Sequence, residues 1–209
     1  MFLTTHEGTD AYAAFLSRNI KRRFLHYLSR GRSIDAYLTD FFSSIHNVDA
    51  AGFKLMYNQI DLNIKNWLFR QNISIIHLVR RNILKTILSR EAKSVRGIAH
   101  ITNEQTVENI ELTLDVRKLV RRISKLERQI QFHTHRYSTL PYLEVAYEEF
   151  VSDPRTTSHN IFRFLNVPVI DDLTMSLKKI NPDSPEMLIE NFTAVREALL
   201  KHGYATFLE

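Results

Sequence analysis

Short runs of bulky apolar residues alternate along the chain with longer segments in which apolar residues recur every three or four positions. The longer segments are typical of amphipathic helices that bury one face, and the near-continuous runs are typical of strands buried on both faces. This alternation predicts an α/β fold in which helices flank a parallel sheet in three layers. No repeat interrupts it, so we expect a single domain over residues 1–209, with a helical excursion over about 92–140.

The bounds of the elements follow from this pattern and from residues that start helices. Ser33 precedes one helical segment as a cap, and Pro154 and Pro185 each open another at its first turn. The predicted strands cover residues 1–5, 52–57, 73–79 and 142–147. The predicted helices cover residues 10–31, 34–45, 59–71, 82–95, 105–135, 154–165 and 185–202.

The segment IIHLVRRNILKTILSRE, residues 75–91, places two arginines where a buried strand turns into a helix. Ligands bind at the carboxyl ends of parallel strands, and a helix N-terminus there attracts phosphate through its free N–H groups. Arg81 adds a planar donor fork, and Ser89 follows two helical turns later. We predict a phosphate site at Arg81 with Ser89 as hydroxyl donor, and expect Arg80 to pair with acids such as Glu91. An ordinary surface ion pair is the alternative.

Composition narrows the classes of partner and chemistry. The net charge of +5 favours anionic partners, and the absence of cysteine excludes disulfides, thiolate catalysis and cysteine-based zinc sites. No apolar run approaches the roughly 20 residues that a membrane span needs. The N-terminus also lacks the features of a signal peptide, so we expect a cytoplasmic protein without a membrane span.

Two segments resemble those of the sulfotransferases that use 3′-phosphoadenosine 5′-phosphosulfate (PAPS). In that family a strand ends in Arg-Asn and a serine follows eight residues after the arginine, as do Arg81, Asn82 and Ser89 here. The segment LEVAYEEFVSDPRTTSHNIFRFLNVPV is similar to the family's strand, Tyr-Glu-acid, Asp-Pro and helix, with Asn166 where glycine is usual. The resemblance covers about residues 50–209, and it places Tyr147 near the adenine.

This resemblance implies a P-loop-like sulfotransferase fold with PAPS as co-substrate, no metal, and a hydroxyl or amine acceptor on a carbohydrate or small metabolite. The family's usual donor loop, Arg/Lys-Ser-Gly-(Ser/Thr)-Thr, has only one candidate here, FLTTHEGTDAYAAFL. In it Gly8 and Thr9 stand for the Gly-(Ser/Thr) pair that would bind the 5′-phosphosulfate, but the carboxylate of Glu7 would repel that group. His6 and Glu7 are the candidate catalytic bases. The alternative is a catalytically degenerate protein that binds adenosine 3′,5′-bisphosphate on the same fold.

Two further patterns leave alternatives open. The stretch SRNIKRRFLHYLSRGR, residues 17–32, carries six cations and no acid, which fits a solvated helix face, an anionic acceptor groove or nucleic acid. We do not expect nucleic acid, because no recognised module for it is present. The apolar stripe along residues 107–130 fits a packing face within the chain, with a homodimer as the alternative.

Overall fold

The computed structural model describes residues 33–97, 109–171, 181–182 and 184–208. The predicted strand at residues 1–5, the predicted helix at 10–31 and the basic stretch 17–32 lie outside them. The helices are α1 (Ile34–Ser43), α2 (Leu62–Arg70), α3 (Ile83–Arg96), α4 (Val116–Tyr137), α5 (Tyr147–Ser152), α6 (Pro154–Leu165) and α7 (Phe192–Lys201). The strands are β1 (Ile75–Val79) and β2 (Tyr142–Ala146), and short 3₁₀ turns cover Tyr57–Gln59, Pro185–Met187 and Ala205–Leu208.

Strands β1 and β2 pair in a parallel sheet, which confirms the predicted α/β class. The chain divides into two compact units. Among the described residues, the first unit comprises residues 33–78, Arg136–Val145 and Asp153–Ile170, and the second comprises residues 79–97, 109–135, 171, 181–182 and 184–208 together with Ala146–Ser152. The expectation of a single domain stays a prediction. No helix among the described residues is both long and apolar enough to cross a bilayer.

The first unit is built around Trp67 of α2, which is 2% exposed. Its ring stacks on Phe42 with centroids 5.4 Å apart, and its Nε1 donates to Thr39 Oγ1 at 3.1 Å, so the indole polar group stays paired inside the core. The helical spacing of Ile64, Trp67 and Leu68 directs all three into this cluster, as the sequence pattern predicts.

His77, a buried histidine in β1, is the centre of a network of hydrogen-bonded side chains in the first unit. His77 Nδ1 lies 2.6 Å from the Tyr142 hydroxyl, which donates to Glu144 at 3.2 Å, and Nε2 contacts the Tyr57 hydroxyl. Because the Tyr142 hydroxyl donates its proton to the Glu144 carboxylate, it must accept from the Nδ1–H group of His77. The Nε2 atom of the neutral His77 ring then accepts from the Tyr57 hydroxyl. Burial first, and then Tyr142 and Glu144, raise the pKa of Tyr57 to about 12, so Tyr57 keeps the proton that this arrangement needs.

The second unit is organised by one face of α3. Its buried residues follow helical spacing, and they pack on residues of the segment 110–114, α4 and α7. The members of this core that are fully enclosed are Leu84, Ile87, Ile123, Val195 and Leu199. Because this face of α3 is fixed in the core, the half-buried face that carries Lys85 and Ser89 is fixed as well.

The strand predicted over residues 52–57 is wrong. Residues 51–56 form no strand, and a 3₁₀ turn begins at Tyr57. Phe53 and Leu55 alternate as in a strand and pack on the first core, but the segment joins no ladder of the sheet, and Met56 N–H donates to its own chain at Gln59 Oε1, 2.8 Å away. The strand prediction rested on a short run of bulky apolar residues, which a partly buried segment outside a sheet can share.

Two predicted helices are longer than the observed ones for one shared reason. Leu112 N–H donates to Leu188 at 2.8 Å and Leu112 C=O accepts from Glu190 at 3.1 Å, which forms a short parallel bridge at Ile189. Residues 109–115 are therefore not helical, and α4 begins at residue 116 rather than 105. The last helix begins at residue 192 rather than 185. Backbone groups used in this bridge are not available for helical bonds.

The predicted helix starts and stops are confirmed where side chains cap the ends. Ser33 Oγ accepts from Ala36 N–H at 3.2 Å, and Pro154 occupies the first turn of α6 behind its cap Asp153. Asn166 ends α6 in the left-handed conformation, with φ 54° and ψ 45°. The side chain of an asparagine tolerates this conformation better than other non-glycine residues do.

Asn166 gives a direct test of this helix end. We expect Asn166→Ala to lower the free energy of unfolding by about 1 kcal/mol, because alanine is strained at positive φ. Asn166→Gly should leave it unchanged or slightly higher. Urea denaturation of the three proteins measures both changes, and equal losses in the two variants would show that the side chain, not the backbone conformation, determines stability here.

Candidate functional site

The site lies in the second unit, where α3 begins. Asn82 is the N-cap of α3: its Oδ1 accepts from Lys85 N–H at 3.0 Å, and its Nδ2 donates to the carbonyl of Phe207 at 3.0 Å. The asparagine therefore satisfies one free N–H of the helix and also ties the C-terminal 3₁₀ turn to it. Asn82, which the resemblance aligns with the asparagine of the family motif, thus has a structural role as a helix cap that spacing alone did not reveal.

A carboxylate holds the backbone just before α3. Glu148 accepts from the N–H groups of Arg81 and Asn82, each at 3.1 Å, with one oxygen on each. Desolvation by burial pushes the pKa of Glu148 up, but these N–H groups, together with Arg80, outweigh it and lower the pKa below its usual range. Glu148 is ionised at neutral pH, and it already occupies two donors that a phosphate at this turn would have used.

Arg80 is the half-buried cation of the site. Its guanidinium carbon lies 4.7 Å from the centre of the Tyr147 ring, and its Nη1 donates to Ser89 Oγ at 3.1 Å and to the Lys85 carbonyl at 3.3 Å. Burial lowers the pKa of Arg80, against the opposing effects of Tyr147 and Glu148, but an arginine remains charged. Its Nε is buried without a hydrogen-bond partner among the described residues.

Arg81 has a different environment from Arg80. Its guanidinium pairs with Glu149 at 2.7 Å, and both side chains are more than half exposed. The expectation that Arg80 pairs with Glu91 is wrong, because Glu91 pairs with Arg122 of α4. The arginine that bonds Ser89 is Arg80 rather than Arg81. The ring of Tyr147 packs on the Arg80 guanidinium and helps to hold it there.

These side chains surround a cavity of about 430 Å³, within the range of small-ligand pockets. Three cations face a single carboxylate in its lining, and an aromatic ring and several apolar or small residues complete it. The lining residues are Arg80, Arg81, Asn82, Lys85, Tyr147, Glu148, Val151, Ser152, Thr206 and Phe207. This composition suits an anion that carries a planar group.

The structure brings together Arg81 and Tyr147, which the sequence predicts as binding residues, in the lining of one cavity. Ser89 lies outside the lining but is bonded to Arg80. The other predicted residues, namely His6, Glu7, Gly8 and Thr9, lie outside the described residues.

Sequence reasoning missed Lys85 and Phe207 as members of the site. Lys85 had a usable signal, since it falls four residues after Arg81 and four before Ser89, on one face of α3. Phe207 had no such signal in the sequence, because it joins the site through its contact with Asn82, which is 125 residues away in the chain. Among the described residues no group of His, Asp or Glu is arranged to hold a metal ion.

Comparison with known proteins assigns the family. A sequence model described as the Sulfotransferase family matches residues 12–172, which is more than half of the chain, and the protein belongs to this family. The resemblance seen at residues 75–91 and 143–169 is thereby confirmed. No curated protein and no solved structure matches the chain.

The lowered pKa of Glu148 predicts a pH dependence. A carboxyl group whose pKa falls on folding stabilises the protein above its unfolded pKa of about 4.3, and this contribution is lost as the pH falls through the lowered pKa. Glu148→Gln should therefore be less stable than the wild type at pH 7, because it loses the charge and replaces one of the two accepting oxygens by an NH2 group that cannot accept. The difference should shrink in acid.

Urea unfolding from pH 7 down to pH 3 measures the effect. Glu197→Gln, at an exposed position of α7, is the matched control and should show no such dependence. A stability difference for Glu148→Gln that is constant over the whole range would mean that its charge is not what holds the turn.

Proposed function

We propose that this protein binds PAPS with the cavity at the start of α3 and transfers its sulfo group to a hydroxyl or amine acceptor. The observation that carries the proposal is the cluster of Arg80, Arg81 and Lys85 beside Tyr147, in a chain of the sulfotransferase family. Phosphate and sulfate groups are bound by such clusters, since arginine donors match their oxygens.

The residues present fit an adenosine 3′-phosphate. Arg80 has a buried Nε without a partner among the described residues, which an anion would satisfy. Lys85 contributes a second cation, and Arg81 a third once it exchanges Glu149 for the ligand. Tyr147 offers ring surface for the adenine, although Arg80 lies over one part of it. Because Glu148 occupies the turn N–H groups, side chains rather than backbone would hold the phosphate.

PAPS supplies the sulfo group, and in-line transfer requires a base for the acceptor proton and donors for the charge on the leaving phosphate. In this proposal Arg80, Arg81 and Lys85 bind and orient the donor at its 3′-phosphate, which is not the reacting group. The charge on the leaving phosphate and the acceptor proton are assigned to the segment of residues 6–9, with Gly8 and Thr9 as donors and His6 or Glu7 as base. A carbohydrate or a small metabolite is the proposed acceptor.

A second function is favoured by one feature of the sequence. The segment FLTTHEGTDAYAAFL lacks the cation that the family's donor loop carries, and Glu7 places a negative charge beside Gly8 and Thr9. A protein with this change would keep the adenosine bisphosphate site and lose turnover, because binding at the 3′-phosphate does not stabilise the leaving group. The second candidate is therefore a nucleotide-binding protein without transferase activity.

Nucleotide binding tests what both functions share. Calorimetric titration with 3′-phosphoadenosine 5′-phosphate should show binding to the wild type. Arg81→Ala should weaken it about tenfold to a hundredfold, since a charge-assisted contact contributes about 1.5–3 kcal/mol. Lys201→Ala, an exposed cation on α7, is the control for net charge and should bind as the wild type does.

Glu149→Gln provides the opposite change at the same site. It removes the carboxylate that competes for Arg81, so binding should tighten, by no more than about fivefold given the small energy of an exposed ion pair. If neither Arg81→Ala nor Glu149→Gln alters the affinity, Arg81 does not hold the phosphate. Absence of binding to the wild type would contradict the proposed cavity.

Turnover separates the two functions. With PAPS labelled in the sulfo group, we expect transfer of label to at least one member of a panel of hydroxyl and amine acceptors. Glu7→Gln separates the two candidate bases: a higher rate, from removal of a negative charge next to the proposed leaving-group donors, assigns the base to His6, and loss of transfer assigns it to Glu7. Nucleotide binding with no transfer by either protein across the panel would instead establish the binding function.

A further inference from the structure

The exposed face of α4 carries a row of cations, and we call Arg117, Arg121, Lys125 and Arg128 the cation row. All four are exposed, and they follow one another at intervals of four, four and three residues. At 3.6 residues per turn, these positions fall within an arc of about 80° and extend along about 16 Å of the helix. Phe132, also exposed, continues the same face.

The cation row differs from the neighbouring cations of α4, which form ion pairs. On one side of it Lys118 pairs with Asp115 at 3.4 Å, and Arg122 pairs with Glu91. Within the part of the chain that the structure describes, no ion pair neutralises any member of the cation row. Arg128 Nε donates to the carbonyl of Ser124 one turn earlier, which leaves its terminal nitrogens for a partner.

We propose that the cation row is a docking surface for an acidic polysaccharide, a chain with carboxylate or sulfate groups on successive sugars. A single line of cations complements a linear polyanion, and three of the four are arginines, whose forks match carboxylate and sulfate oxygens. Phe132 at one end offers an apolar ring for a sugar face. The proposal stands independently of sulfo transfer, because it concerns binding alone.

Two other polyanions complement the surface less well. A lipid surface is planar and is bound by a broad basic patch with inserted apolar residues, whereas the apolar residues of α4, such as Leu119 and Ile123, are buried in the second core. Single-stranded nucleic acid is bound by grooves with several stacking rings, whereas the row lies on an exposed helix face with Phe132 and His135 at one end. A line of cations that no ion pair neutralises among the described residues favours the polysaccharide.

The test compares two variants of the full chain that change net charge equally. The row variant carries Gln at all four positions of the cation row. The control variant carries Gln at four exposed cations on other elements, namely Lys54, Arg163, Arg196 and Lys201. Glutamine is a good helix former and the row positions are exposed, so circular dichroism melting should show that both variants fold. Calorimetry then measures binding of dextran sulfate, with uncharged dextran as the neutral probe.

We expect the wild type to bind dextran sulfate but not dextran, with an affinity that falls as salt rises. The row variant should bind at least about tenfold more weakly and with a shallower salt dependence, and the control variant within about twofold of the wild type. Equal loss in both variants would overturn the proposal, because net charge alone would explain binding. Tighter row-dependent binding to phosphatidylserine vesicles or to single-stranded DNA would overturn it in favour of those partners.

Discussion

The carboxylate of Glu148 is the constraint on which the start of α3 depends. It bridges two consecutive backbone N–H groups and so fixes the turn from which Arg80, Arg81 and Asn82 project. An N-terminal helix turn left with unsatisfied donors next to a cavity would be costly unless water or an anion occupied it. Here the protein supplies its own anion, which keeps its charge at neutral pH since its pKa is lowered. The geometry of the cavity therefore exists before any ligand binds.

The contact between Glu148 and this turn aligns two short segments of the chain, residues 80–82 and residues 147–149. Tyr147, Glu148 and Glu149 engage Arg80, the turn backbone and Arg81 respectively, so that each residue of one motif meets a defined partner in the other. The two arginines consequently differ. Arg80 is fixed by a ring, a hydroxyl and a carbonyl, whereas Arg81 holds an exposed ion pair that a ligand can displace at small cost. The preformed cation Arg80, whose Nε has no partner among the described residues, lies beside the exchangeable Arg81, so an anion would add contacts to both.

Sequence periodicity predicted those parts of the fold that local contacts determine. Helix α2, strand β1 and the capped ends at Ser33 and Asn166 all follow from spacing and cap chemistry. The failures involve partners far apart in the chain. The bridge between Leu112 and Ile189 replaces the starts of two predicted helices, and local sequence does not show that these two distant residues pair. The alternation of Ile110, Leu112 and Leu114 was the one signal against helix there.

The site shows the same division between local and distant information, and this bears on its chemistry. That Arg81 and Ser89 bind one phosphate stays a prediction, and the arginine that bonds the serine is Arg80, whose position depends on Tyr147, 67 residues away. In the proposed function, the cavity contributes binding of the donor's 3′-end, an interaction equal in ground and transition states. Such uniform binding raises occupancy without accelerating transfer, whereas acceleration requires donors at the leaving phosphate. In the proposed function, binding and turnover are therefore assigned to different segments of the sequence, and substitution of Glu7 is expected to change turnover while nucleotide binding remains intact.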